Sequence, residues 1–298
     1  MPMWKFITGI VIVALLAVGA YFYFVSNNAS VTPPPDTTPI SDTTASTTPQ
    51  MATSTVIGKS VDGRDIVAYH YGSGSKEILF VGGIHGGYSW NTSLVAYQLM
   101  NYLDSNPSTI PASLRVTVIP DLNPDGLSKV VSASGPFAAS DVSTSQTLQV
   151  AGRFNADTVD LNRNFDCDWQ QNAVWQNKPV SGGTAAFSEP ESKALRDYVQ
   201  SNPPAAVVAF YASAGGVYAS NCHSGVLPTT TTLMNIYAQA SGYPAHENFD
   251  YYATTGDMTN WLAKENIPAF SVLLTNHTDT EWSKNQAGVV ALLQHFAQ

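Results

Sequence analysis

Residues 78–87 read Ile-Leu-Phe-Val-Gly-Gly-Ile-His-Gly-Gly. Four apolar residues stopped by a Gly-Gly pair form a short buried strand. Ser93–Leu103 (SLVAYQLMNYL) follows with apolar residues at helical spacing, and Leu114–Ile119 (LRVTVI), closed by Pro120, is a second strand. The same alternation continues along the chain. Glu189–Val199 predicts a helix with Ser188 as N-cap, Pro190 in the first turn and Glu191 in capping-box position. Ala205–Tyr211 (AAVVAFY) predicts a strand buried on both faces, and Thr231–Ala240 a helix. Met258–Ala263 starts another helix, Ala269–Leu274 (AFSVLL) is a strand, and Gln286–Phe296 is a closing helix. Strands alternating with helices specify an α/β sheet covered on both sides. In such sheets the chemistry lies in loops beyond the strand ends, which is where His85 stands.

Composition narrows the function classes. The chain has 298 residues, 13 Lys plus Arg and 22 Asp plus Glu, for a net charge of −9. With 44% hydrophobic residues it can bury a real core, and an acidic chain with only 12% charged residues has no electrostatic footprint for nucleic acid. Two cysteines, Cys167 and Cys222, are too few for a disulfide-rich mini-fold or a cysteine-based zinc finger. Ile7–Val25 is nineteen residues without a charge, preceded by Lys5, with Asp36 the first acid after it. That length spans a bilayer core of about 30 Å and predicts an N-terminal membrane anchor with the following domain on the extracytoplasmic side. A cleaved signal peptide, cut after Ala20 to give a secreted domain, is the alternative. The Tyr21-Phe22-Tyr23-Phe24 tail favours the retained anchor, because it suits an aromatic interface belt. Residues 26–54, mostly Ser, Thr and Pro, read as a semi-extended tether, and 55–298 as one domain.

Four segments carry a resemblance. Gly82-Gly83-Ile84-His85-Gly86-Gly87 is followed by Asn123-Pro124-Asp125-Gly126-Leu127. Gly152-Arg153-Phe154-Asn155 then leads into Val159-Asp160-Leu161-Asn162-Arg163-Asn164-Phe165, and Phe187-Ser188-Glu189-Pro190-Glu191 comes last. In order and spacing they resemble the zinc carboxypeptidase family, the carboxypeptidase A-like metallopeptidases. The resemblance implies a three-layer α/β/α fold around a mixed, mainly eight-stranded sheet. It also implies zinc-assisted hydrolysis of a C-terminal peptide or cell-wall peptide bond. The family's parts are a His, a nearby Glu and a second His as zinc ligands, and a Glu as general base. An Arg polarises the carbonyl, an Asn-Arg pair grips the free carboxylate, and a Tyr closes over the substrate.

Carried over residue by residue, about half of this survives. His85 fits the first metal ligand, but Tyr88 or Ser89 stands where the ligand Glu belongs. Ala212 stands at the second His, and Leu273 at the general base. Arg153 matches the carbonyl polariser, Asn162 with Arg163 the carboxylate grip, and Tyr252 the closing Tyr. An Arg suits the grip because its planar fork binds a carboxylate bidentately. The plainer readings are a hydrogen-bonded loop residue for His85, and ion pairs to Asp157, Asp160 or Asp166 for the two arginines. A rebuilt metal site could draw on His223 or His277, with Asp166 or Asp279.

The leading expectation is therefore a membrane-tethered, catalytically degraded carboxypeptidase-like domain with zinc absent or weakly bound. Its partner would be a peptide or cell-wall peptide with a free C-terminal carboxylate. The alternative is a working hydrolase, either through rearranged zinc ligands or by another mechanism. Because export places the domain in an oxidising compartment, and family geometry brings both loops to the site rim, Cys167 and Cys222 are expected to be bridged.

Overall fold

The computed structural model describes residues 52–297; the expected anchor (7–25) and most of the tether (26–51) lie outside the described residues. Ten strands and seven α-helices follow in chain order. They are β1 Thr53–Lys59, β2 Asp65–Tyr71, β3 Lys76–Val81, α1 Trp90–Ser105, β4 Leu114–Ile119, α2 Pro124–Ser128, α3 Gln146–Ala151, β5 Asn172–Trp175, β6 Lys178–Ser181, α4 Pro190–Ser201, β7 Ala206–Ala212, β8 Gly216–Ala219, α5 Pro228–Ser241, β9 Ala245–His246, α6 Met258–Lys264, β10 Ala269–Leu274 and α7 Trp282–His295. Among the described residues no helix is long and apolar enough to cross a membrane.

Eight strands form one mixed sheet in the order β1-β2-β4-β3-β7-β10-β8-β9, and β5 pairs with β6 as a separate hairpin. The central strands β4, β3, β7 and β10 are mutually parallel. They are the apolar runs legible in the sequence, since a central parallel strand is buried on both faces. Helices cover both faces. Val95, Leu99, Leu233, Tyr237 and Leu292 of α1, α5 and α7 pack with Phe80 and Phe210 on one side. Leu195, Val199, Trp261 and Leu262 of α4 and α6 pack with Leu79, Val207 and Leu273 on the other. The result is the expected three-layer α/β/α fold.

Parallel β3, β7 and β10 point their C-terminal ends the same way, so the loops after Val81, Ala212 and Leu274 converge. The glycines of the first loop make this possible. Gly86 sits at φ +39°, and a Cβ there would stand 2.7 Å from the Gly152 carbonyl and from the Leu127 amide. Three site-forming loops therefore pack backbone to backbone. Asn123 ties them: its Oδ1 accepts from Gly126 N, and its Nδ2 donates to the Ile84 and Arg153 carbonyls.

Some local expectations are corrected. Glu189, not Ser188, is the N-cap of α4, and neither makes a side-chain cap bond there. Ser188 Oγ instead donates to Glu189 Oε1 and accepts from Thr184 N and Asn164 Nδ2, so loop packing takes precedence over the helix end. Glu191 lies fully buried, accepting from Val61 N and Asn155 Nδ2, which makes it a fold residue rather than half of a capping box.

Candidate active site

At the C-terminal ends of β3, β7 and β10 lies a cavity of about 440 Å³, with His85, Arg153, Arg163, Tyr252, Leu273 and His277 in its lining. Asn162, Tyr211, Ser213, Tyr218 and Phe249 also face it. The structure thus brings His85, Arg153, Asn162, Arg163, Tyr252, Ala212 and Leu273 to one place. His223 is not in the lining; it is exposed and pairs with Asp168 at 2.7 Å. Asp166 pairs with Lys264, and Asp279 accepts from Asn276 Nδ2, so neither carboxylate faces the site.

The two arginines differ in what holds them. Arg153 is buried and donates through Nε (3.0 Å) and Nη2 (2.8 Å) to one oxygen of Asp160, which is itself fully buried. Its guanidinium also lies 4.2 Å from the centre of the Trp175 ring and 5.6 Å from that of Tyr88. Burial alone would push the Asp160 carboxyl up. The attraction of Arg153, with contributions from His85 and Arg163, outweighs that and holds it well below the usual carboxylate range. Arg163 instead donates to neutral groups, Nε to the Val174 carbonyl and Nη1 to the Asn162 carbonyl, while Nη2 is buried without a partner. Tyr252 stands beside it, its ring centre 5.9 Å from the guanidinium carbon.

Asn162 is spent inside the protein. Its Nδ2 donates to Asp257, and its Oδ1 accepts from Tyr211 Oη (3.1 Å) and Met258 N. Of the Asn162-Arg163 pair, Arg163 is the member with a free donor.

His85 has both ring nitrogens buried without hydrogen-bond partners; the nearest acid is Asp160, 3.6 Å from Nε2. Burial, reinforced by Arg153, pushes the imidazole down to about 4, against the opposing pull of Asp160. Such an orphaned nitrogen is what a metal ligand would offer, but the rest of a metal site does not assemble around it. The described residues contain no group of three or more His, Cys, Asp or Glu placed to hold a metal ion. Ser89 Oγ lies 3.3 Å from His277 Nδ1, and the Tyr88 ring packs against His277 with centres 4.4 Å apart. At the end of β7 the ring that meets His85 is Tyr211, at 5.7 Å, while Ala212 lines the cavity and also packs against the core on the other side of the sheet. Leu273 pairs in register with Tyr211 and adds only apolar surface to the lining. Three ligands and an open fourth position are the minimum for catalytic zinc, and these residues do not fit that requirement.

Sequence reasoning overlooked several members. Asp257 partners Asn162, Trp175 stacks on Arg153, and Phe249 joins Tyr218, Tyr251 and Tyr252 in an aromatic rim with ring centres 5.0–5.5 Å from it; Asp160, by contrast, was among the ion-pair partners the sequence offered for the arginines, and it pairs with Arg153. Asp257 carried the one usable signal, as an acid just before the α6 pattern; it caps that helix by accepting from Asn260 N. Cys167 and Cys222 form a disulfide, as expected, linking the loop after Phe165 to the loop after β8 with Cα atoms 6.1 Å apart.

An α/β/α sheet with a polar, arginine-bearing cavity at its parallel strand ends defines the architectural class. The zinc carboxypeptidase family model matches residues 39–281, and the chain belongs to that family. It is 27% identical over 247 residues to gamma-D-glutamyl-L-diamino acid endopeptidase 1 of Lysinibacillus sphaericus, covering 76% of this chain and 61% of that protein. It is 30% identical over 182 residues to carboxypeptidase Z of Rattus norvegicus, covering 54% of this chain and 26% of the relative. The chain thus spans less than two thirds of the length of these relatives. In fold it is similar to bovine thrombin-activatable fibrinolysis inhibitor in complex with tick carboxypeptidase inhibitor (TM-score 0.67, 16% identity, 83% of this chain and 90% of that one). It is also similar in fold to murein-tripeptide amidase from Escherichia coli O157 (TM-score 0.56, 22% identity, 82% and 92%).

Proposed function

We propose that this chain is a membrane-tethered carboxypeptidase-like domain that binds a peptide by its free carboxylate and has lost the family's zinc-assisted hydrolysis. One observation carries the reading: Arg163 lines the cavity with a buried, unpartnered Nη2 and neutral carbonyls as its acceptors. A buried guanidinium with an unpartnered donor and no direct ion pair is costly, and an incoming carboxylate relieves that cost while gaining charge-assisted hydrogen bonds. Tyr252, beside the guanidinium, would cover the bound group. The loss of hydrolysis rests on Ser89 (or Tyr88) and Ala212 at the ligand positions, with Tyr211 the ring that meets His85, and on Leu273 at the base position; absence of a general base alone costs about 10²–10⁴ in rate. Names such as murein-tripeptide amidase and gamma-D-glutamyl-L-diamino acid endopeptidase among the similar proteins favour a cell-wall peptide as the bound class. On this reading residues 7–25 are the membrane anchor and residues 26–54 the tether.

The test is binding of paired peptides, free acid against C-terminal amide, by calorimetry. Arg163→Ala should weaken the free-acid form by roughly 1.5–3 kcal/mol and leave the amide form unchanged. Equal loss for both forms would make Arg163 structural and end this reading. A second reading, an active enzyme with rearranged zinc ligands, is favoured by two neutral imidazoles, His85 and His277, lining one cavity. Stoichiometric zinc in the purified protein, with chelator-sensitive release of a C-terminal residue, would establish it instead.

A further inference from the structure

His277 bridges two serines at the mouth of this cavity. Its Nδ1 lies 3.3 Å from Ser89 Oγ and its Nε2 lies 3.3 Å from Ser213 Oγ. Ser89 is buried, whereas Ser213 is exposed and lines the cavity. A nucleophilic hydroxyl, a neutral imidazole within reach and a third group orienting that imidazole are the parts of an activated serine.

The orientation of the ring suits this role. Ser89 Oγ is the partner on the Nδ1 side and can accept from it. With Nδ1 protonated, Nε2 is left as the acceptor for the Ser213 hydroxyl. Burial and Arg153 push the imidazole down to about 4, so the ring is in its accepting form at neutral pH. The supports on both sides are fixed. Buried Asn91 donates to the Asn276 and Asp279 carbonyls and pins the loop that carries His277. The amides of Ala214 and Gly215, just after Ser213, both donate to the Leu274 carbonyl.

We infer that Ser213, with His277 as its base and Ser89 as a positioning residue, forms a metal-free nucleophilic site for acyl esters and peptides that carry a free carboxylate. This inference rests on Arg163 as the carboxylate receptor for the choice of substrate, and on the Ser213–His277 geometry for the chemistry. In the forward step Ser213 Oγ attacks the acyl carbon, the Oγ–C bond forms, and the hydroxyl proton moves to His277 Nε2. The tetrahedral adduct collapses, the bond to the leaving oxygen or nitrogen breaks, and His277 returns the proton to that atom. Water, activated by the same imidazole, then hydrolyses the acyl-serine and restores the hydroxyl. A ring of low basicity makes the first step slow, so covalent capture is a better readout than turnover.

The experiment treats the full-length protein with an alkyl fluorophosphonate, which a reactive serine attacks at phosphorus with loss of fluoride, and maps the adduct by mass spectrometry. The expected result is one adduct, on Ser213, lost in Ser213→Ala and formed at least tenfold more slowly in His277→Gln. A free-acid peptide should slow the labelling while its amide does not, which tests the placement without any substitution. Ser89→Ala should shift the pH profile of labelling, because the hydroxyl partner of Nδ1 is gone. No adduct, an adduct on another residue, or labelling indifferent to His277→Gln would overturn the inference. Free-acid peptide binding that persists alongside absent labelling would refute this site and leave the carboxylate receptor standing.

Discussion

Replacing Asp160 by Asn tests the electrostatic frame of the cavity most directly. Asp160 Oδ2 accepts two donors from Arg153, and Oδ1 accepts from the Asn162 backbone amide. Both oxygens therefore face N–H groups. Whichever way an amide is placed, its NH₂ meets a donor, and Arg153 keeps its charge in a buried site without an anion. Breaking a buried pair from one side costs about 3–5 kcal/mol. At about 2–4 °C per kcal/mol for a domain of this size, the melting temperature should drop by roughly 6–20 °C. Urea denaturation of Asp160→Asn measures this, and the companion variant Arg153→Met/Asp160→Leu should recover much of the loss, since a buried pair is often replaceable by apolar groups. The pH dependence has a definite sign. A carboxyl held below its unfolded value stabilises fully above about pH 4 and loses that contribution as pH falls. The wild type should therefore weaken more steeply below pH 4 than Asp160→Asn. A cost under about 1 kcal/mol for Asp160→Asn would refute the argument, because it would mean that water or another group carries the Arg153 charge.

Two further outcomes follow from the same geometry. Reduction of Cys167–Cys222, or a Cys167→Ala/Cys222→Ala variant, should cost about 4 kcal/mol in the chain-entropy model for a sequence separation of 55, read as a lowered urea midpoint. His85 and His277 both fold with imidazoles near 4, below the unfolded value of about 6.5. Their burial therefore contributes fully above pH 6.5 and is lost as pH falls toward 4. NMR titration should show both rings neutral at pH 5.5, and a ring that titrates near 6.5 would contradict its placement.

The architecture was legible where burial is two-sided. β4 and β10 stand at Leu114–Ile119 and Ala269–Leu274, the ranges their apolar runs marked. β1 was not, because Thr53–Lys59 is an edge strand with mostly exposed residues and looks like the end of the tether. β8 was missed because Gly216–Ala219 is four residues inside a Gly-rich stretch, held by pairing to β10 rather than by propensity. The start of α1 at Trp90 precedes the expected Ser93 because Asn91 and Thr92 are buried by tertiary contacts that helical spacing alone does not announce. Within the site the alternation of β7 matters most. A one-residue difference in assignment exchanges the faces of the sheet, so Tyr211 rather than Ala212 meets His85.

The two arginines show why a motif names a residue more readily than its role. Both stand in one loop segment, both are buried and both line the cavity. The difference comes from the partners that the fold brings to each. Asp160, seven residues after Arg153, folds back so that its carboxylate takes two of that guanidinium's donors, and Trp175 and Tyr88 cover its faces. Arg163 meets only backbone carbonyls, because Asp257 is already engaged by Asn162, Thr259 and Asn260. A carboxylate entering the cavity would have to compete with Asp160 for the Nε and Nη2 of Arg153, whereas at Arg163 the buried Nη2 has no acceptor to displace. The competition would cost a buried ion pair of the kind whose one-sided loss was put above at about 3–5 kcal/mol. The unpartnered donor asks for no such exchange, so the proposed carboxylate receptor is Arg163 rather than Arg153, which stays part of the wall.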